Sequence, residues 1–171
     1  MKIIEALKKF KLMERKLDDL TAKVRGNVAM MDYQESQYKD PKKQLQSWID
    51  CHKDTLDEYS RLQIAINRTN LETKVSVELR PGKVVEKTIA EWLLRRRKLN
   101  QWEVHMWKQI RDTLMPTPVK DMGKDGEPRI AQVIRFYDVE ERDAKVLELN
   151  EECTRIDGAL EIVNAVTDLI E

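Results

Sequence analysis

Thr88-Ile89-Ala90-Glu91-Trp92-Leu93-Leu94-Arg95-Arg96-Arg97-Lys98-Leu99-Asn100-Gln101-Trp102-Glu103-Val104-His105-Met106-Trp107 is the stretch on which the fold turns. Thr88 and Glu91 make a capping box, the threonine hydroxyl accepting from an early backbone N–H while the glutamate reaches back. A helix therefore opens at Ile89, and its spacing carries it to about residue 114, ~39 Å at 1.5 Å per residue. At ~100° per residue, Ile89, Trp92, Leu99, Met106, Trp107, Ile110 and Leu114 share one face. Arg96 and Glu103 fall on that same face, whereas Arg97 and Lys98 point away. Charges on a buried stripe are costly unless each finds a partner. Two turns apart, ~10.5 Å, Arg96 and Glu103 are not expected to pair with each other. The Asn67/Asn70 end of the preceding helix, Asp138 or another subunit would have to serve them.

Outward from this stretch the chain reads as further helices. Ile3, Ala6, Phe10, Met13, Leu17, Leu20 and Val24 step by three and four, giving a coiled-coil-like seam over residues 2–25. Gly26-Asn27 stops it, and residues 26–41 form a polar connector. Asp40 caps and Pro41 opens a second helix, with Leu45, Trp48, Ile49, Leu56, Tyr59, Leu62 and Ile66 on one side to about Asn67. Alternation over Thr73–Leu79, then Arg80-Pro81-Gly82-Lys83 and Val84-Val85, predicts a hairpin over 73–86. Pro116 and Pro118 end the third helix, and residues 115–128 form an exposed, mobile loop. Residues 129–136 look extended and supply a third strand. Asp138 caps a last helix whose seam is Val139, Val146, Leu149, Cys153, Ile156, Leu160, Val163 and Ile170. The expected fold is mainly α: one domain over 1–171, an antiparallel bundle of four long helices with a small β hairpin or three-stranded element.

Composition excludes several functions. Lysine plus arginine equals aspartate plus glutamate at 31 each within 171 residues, so the chain as a whole does not suggest nucleic acid or an anionic membrane. No segment approaches the ~20 apolar residues of a membrane span, and the opening residues lack a signal peptide's apolar run. Cys51 and Cys153 read as small core hydrophobes in a reducing, cytoplasmic-type compartment. Asn67-Arg68-Thr69 matches a glycosylation sequon that needs secretion to matter. His52 and His105 show no paired-ligand spacing for a metal, no glycine-rich loop cradles a phosphate, and no nucleophile stands in a catalytic motif. Neither catalytic residues, nor a metal, nor a cofactor is expected.

The third helix is the candidate site. Arg96 and Glu103 either belong to a buried polar network that fixes helix register, or Arg96, with Arg95 or Arg68, holds an anionic ligand beside tryptophan faces. Nucleic-acid binding by the Arg95–Lys98 run is disfavoured because those charges spread around the helix.

The segments Ile66-Asn67-Arg68-Thr69-Asn70-Leu71, Thr88-Ile89-Ala90-Glu91 with Leu94-Arg95-Arg96-Arg97, and Ile134-Arg135-Phe136-Tyr137-Asp138-Val139 resemble the septicolysin-like group of small bacterial and phage proteins of unassigned function. Where members of that group often end in an asparagine-tryptophan-threonine segment, this chain has Val163-Asn164-Ala165-Val166-Thr167. The resemblance implies a shared helical fold with Asn67, Arg68, Asn70 and Arg96 as recurrent polar positions. The lytic activity in the group's name is not carried over. The leading expectation is a non-enzymatic homo-oligomer acting on itself or on protein partners, cytoplasmic, or virion-associated as a phage structural or assembly component. The alternative is an oligomeric binder of an anionic small molecule, a nucleotide or signalling metabolite, centred on Arg96 with Glu103, Asn67, Arg68, Asn70 and Arg95.

Overall fold

A computed structural model describes residues 1–120 and 128–170. Helix α1 spans Ile3–Gly26 and buries Ile3, Ala6, Met13 and Leu20, the expected seam. Helix α2 spans Pro41–Glu72; Asp40 Oδ1 accepts from Lys43 N at 3.0 Å, and Pro41 occupies the first turn, where its missing N–H costs nothing. The two run antiparallel. Phe10 stacks on Tyr59 with ring centroids 4.0 Å apart, the Tyr59 hydroxyl donates to Glu14 at 3.1 Å, and Lys9 pairs with Glu58. Ala6, Met13, Leu62 and Ile66 form the core between them.

Strands β1 (Lys74–Arg80) and β2 (Lys83–Thr88) make the expected hairpin. Gly82 turns it with φ 78°, a left-handed position that glycine takes without a Cβ clash. Val75 and Val77 point inward by the two-residue period. The capping box then opens helix α3, Ile89–Leu94, with Glu91 N to Thr88 Oγ1 at 3.3 Å and Thr88 N to Glu91 Oε2 at 2.8 Å. Without a break in the chain direction, α3 passes through a π turn, Arg95–Leu99, into α4, Asn100–Gln109.

Helix α4 ends at Gln109, short of the expected residue 114, and Leu114 and Met115 stand exposed. The expected third strand is also corrected. Pro128–Ala131 is a strand, β4, but it pairs with β3, Thr117–Lys120, inside what was read as loop. The two hairpins are separate two-stranded sheets, and a proline in β3 is tolerated because both of its strands are edges. Of the loop expected to be mobile, residues 121–127 lie outside the described residues. Helix α5, Val139–Val166, is capped by Asp138 Oδ1 accepting from Glu140 N and Glu141 N. Ile170, placed on its seam by sequence, lies beyond its end.

The protein is mainly helical, with its long helices arranged as two pairs. Helix α1 packs along α2 and α4 along α5, and α4 makes no comparable contact with α1 or α2 among the described residues. The pairs meet around the first hairpin, where Ile3, Val75, Val77, Ile89, Trp92, Ile156 and Leu160 form a second core. Trp92 is its largest side chain; its indole N–H donates to Val75 O at 2.9 Å, satisfying a group that would be costly to bury unpaired. Residues 167–169 run beside the first residues of α1, with Ile3 N to Thr167 O at 3.0 Å and Leu169 N to Met1 O at 2.8 Å. Thr69, the sequon's threonine, is fully buried in α2 and accepts from Ile170 N at 2.9 Å. Among the described residues no helix is long and apolar enough to cross a membrane.

Candidate functional site

The π turn reorganises the face read from sequence. Asn100 N donates to Arg95 O, five residues back instead of four. The extra residue shifts everything on one side of the turn by about 100° relative to the other. Arg95, not Arg96, therefore shares an inward face with Glu103. Its guanidinium uses three nitrogens: Nε and Nη2 donate to Glu152 of α5 at 2.6 and 3.0 Å, and Nη1 and Nη2 to Glu103 at 2.6 and 3.0 Å. Glu152 first and Glu103 second hold Arg95 more firmly charged than usual, and Arg95 lowers the Glu103 carboxyl below its ordinary range. This doubly bidentate arrangement is the strong form of an arginine–carboxylate contact.

The other expected site residues do not gather. Arg96 leans outward, half exposed, and pairs with Asp157 of α5 at 2.6 Å. Asn67 is exposed and accepts from Gln63 Nε2 at 2.9 Å. Arg68 borders a groove with Arg61, Leu62 and Leu169, and Asn70 is half-buried on the same helix. None of the three lines a cavity with Arg95 or Arg96. Sequence missed Asn100, which is buried and donates from Nδ2 to Leu149 O at 2.8 Å, tying α4 to the middle of α5. It also missed Glu152. The signal for Glu152 was its spacing from Glu148 and Leu149 on α5, which places all three toward α4.

Beside Arg95 opens a cleft of about 500 Å³ between the β1–β2 hairpin, the π turn and α5. Its walls are Val85, Trp92, Leu99, Trp107 and Leu149, and its rim carries Arg80, Lys83, Lys87 and Lys145 with Glu103, Glu148 and Glu152. Arg80 and Lys145 are both paired with Glu148. Lys87 sits over the Trp92 ring, 5.3 Å from its centroid, a cation–π distance. Among the described residues no three His, Cys, Asp or Glu side chains gather as metal ligands do. Cys51 and Cys153 are free and only half-buried, and burial, ahead of the neighbouring Glu152 and Asp157, pushes the Cys153 thiol up, away from the reactive thiolate.

A helical protein with two helix pairs, a hairpin at their junction and a π-turn cleft is the class defined by this geometry. The chain belongs to the family of unknown function DUF6847, which it matches over residues 11–169. No curated protein matches it. It is similar in fold to a functionally unknown conserved protein from Corynebacterium diphtheriae, whose crystal structure superposes with a TM-score of 0.62 at 19% identity over 99% of both chains.

Proposed function

We propose that the protein is a non-enzymatic homo-oligomer that acts through protein–protein contact. One observation carries this reading. A compact monomer of 20.2 kDa should expose ~8,800 Å², but the isolated chain exposes 13388 Å². The excess, on the order of 4,600 Å² on one chain, is more than the roughly 1,000–2,500 Å² per partner that an obligate interface covers, so an interface of that kind fits within it. Because α1 with α2 and α4 with α5 pack as two pairs that share a core only around the first hairpin, a second copy is the partner that could complete a four-helix arrangement along the rest of their length.

The segment before α5 supports the same reading. Arg135 Nε and the Tyr137 hydroxyl both donate to Asp112 Oδ2, at 2.9 and 2.8 Å, and so hold the chain down at alternate residues. The residues between and beside them, Ile134 and Phe136, are 76% and 97% exposed. Large apolar side chains presented beside two anchored residues are suited to filling a pocket on a partner. The resemblance to septicolysin-like proteins enters only as an expectation of fold. An assembly role in a cell or in a phage particle fits equally, and the neighbouring genes would separate the two. Light scattering at micromolar concentration tests the reading: an oligomer is expected for the parent, and an Ile134→Ser/Phe136→Ser double variant should be smaller. A clean monomer for the parent would overturn it.

A further inference from the structure

We propose that the cleft between the β1–β2 hairpin and the π turn binds a compact aromatic anion, a ring bearing phosphate or carboxylate, with Lys83 and Lys87 as its head-group ligands. With Arg95 included, the cleft is lined by five cationic side chains against three carboxylates. Their pairing decides where the surplus lies. Arg95 with Glu103 and Glu152 is net negative by one charge, and Arg80 and Lys145 share Glu148 with one positive charge left over, so these two groups offset each other. Among the described residues Lys83 and Lys87 form no ion pair, although Lys87 acts on Glu91 at longer range, so the surplus positive charge stands on the β2 lip. Lys83, Val85 and Lys87 alternate along β2, which puts both ammonium groups on one side of the strand with an apolar side chain between them.

Opposite that lip are apolar surfaces. Trp107 and Leu99 are both open to the cleft, and the volume of about 500 Å³ lies in the range of small-molecule sites. A cleft of this size on a neutral chain fits a single small anion better than a nucleic-acid backbone. Arg95 takes a positioning part. With its nitrogens held by Glu103 and Glu152, it does not ligate the anion, but it fixes both carboxylates by two hydrogen bonds each. π turns recur at functional sites because the widened turn re-aims side chains, and here it is what brings Arg95 and Glu103 to the cleft.

The test is a titration of the full chain with adenosine monophosphate and, separately, naphthalene-2-carboxylate, read by tryptophan fluorescence and thermal shift. At least one probe should quench fluorescence saturably and raise Tm, with affinity falling as salt rises. Lys83→Glu/Lys87→Glu should weaken binding about a hundredfold, the effect of removing two charge-assisted hydrogen bonds. Trp107→Leu should weaken it while leaving the salt dependence in place. Should the double reversal fail to fold, Lys83→Ala, at an exposed hairpin end, replaces it with an expected loss of about tenfold. No saturable binding of either probe at 10 mM, or reversal variants that bind within about twofold of the parent, would overturn the proposal. The oligomer reading rests on Ile134 and Phe136, so light scattering decides that separately.

Discussion

Arg95 and Glu103 lie eight residues apart on one continuous helix and still share two hydrogen bonds, of 2.6 and 3.0 Å. In an unbroken α-helix that separation would leave the side chains about 80° apart. The π turn absorbs the extra residue and brings them onto one face. Arg95→Met should therefore strand Glu103 and the nearly buried Glu152 without a counter-charge. A loss of about 2 kcal/mol is expected, at the modest end for broken ion pairs because Glu103 is partly solvated. Urea denaturation followed by circular dichroism measures it.

The same pair sets a pH dependence. Arg95 lowers the Glu103 carboxyl in the folded state, so the pair's contribution is present above the ordinary glutamate value and lost as pH falls through the lowered one. Urea midpoints should fall more steeply below about pH 4 for the parent than for Arg95→Met. Parallel curves would remove Glu103 from the account.

Asn100 offers a sharper test of α4–α5 packing. Its amide donates to Leu149 O in a buried position, so Asn100→Asp would set a carboxylate oxygen against a carbonyl. We expect a loss of about 3 kcal/mol at neutral pH. Part of it should return on acidification, when the protonated carboxyl can donate to Leu149 O. A variant as stable as the parent at pH 7 would show that α4 and α5 do not depend on this bond.

Asp112 should control assembly without lying on the assembled face. The Tyr137 hydroxyl, and after it Arg135, hold its carboxyl below the usual aspartate range. Asp112→Ala frees the segment that presents Ile134 and Phe136. The dissociation constant in sedimentation analysis should rise by about tenfold, with little change in helix content.

Much of the secondary structure was legible in the residues. The caps at Asp40, Thr88 and Asp138 are local hydrogen-bonding devices, and each stands where its sequence signature puts it. The Pro81-Gly82 hairpin and the α1 seam are equally local. What could not be read is what depends on phase and partner choice. A 3.6-residue period assumes an uninterrupted helix, so one π turn was enough to exchange Arg95 for Arg96 on the inward face. The Thr117–Ala131 hairpin was hidden because a proline-rich stretch reads as loop, while the pairing there depends on backbone register. Asn67, Arg68 and Asn70 shared a helix end in the sequence, but their side chains spread around α2 and meet no common cavity.

The inserted residue also governs how this chain should be compared with others. Positions through Leu94 and positions from Asn100 onward keep separate helical frames. A relative without the insertion would match both halves only across a one-residue gap, and aligned without that gap it would set its inward arginine against Arg96. Any tally of shared polar positions in this helix is thus a statement about two frames, and the swap between neighbouring arginines would pass unseen in a simple count of identities.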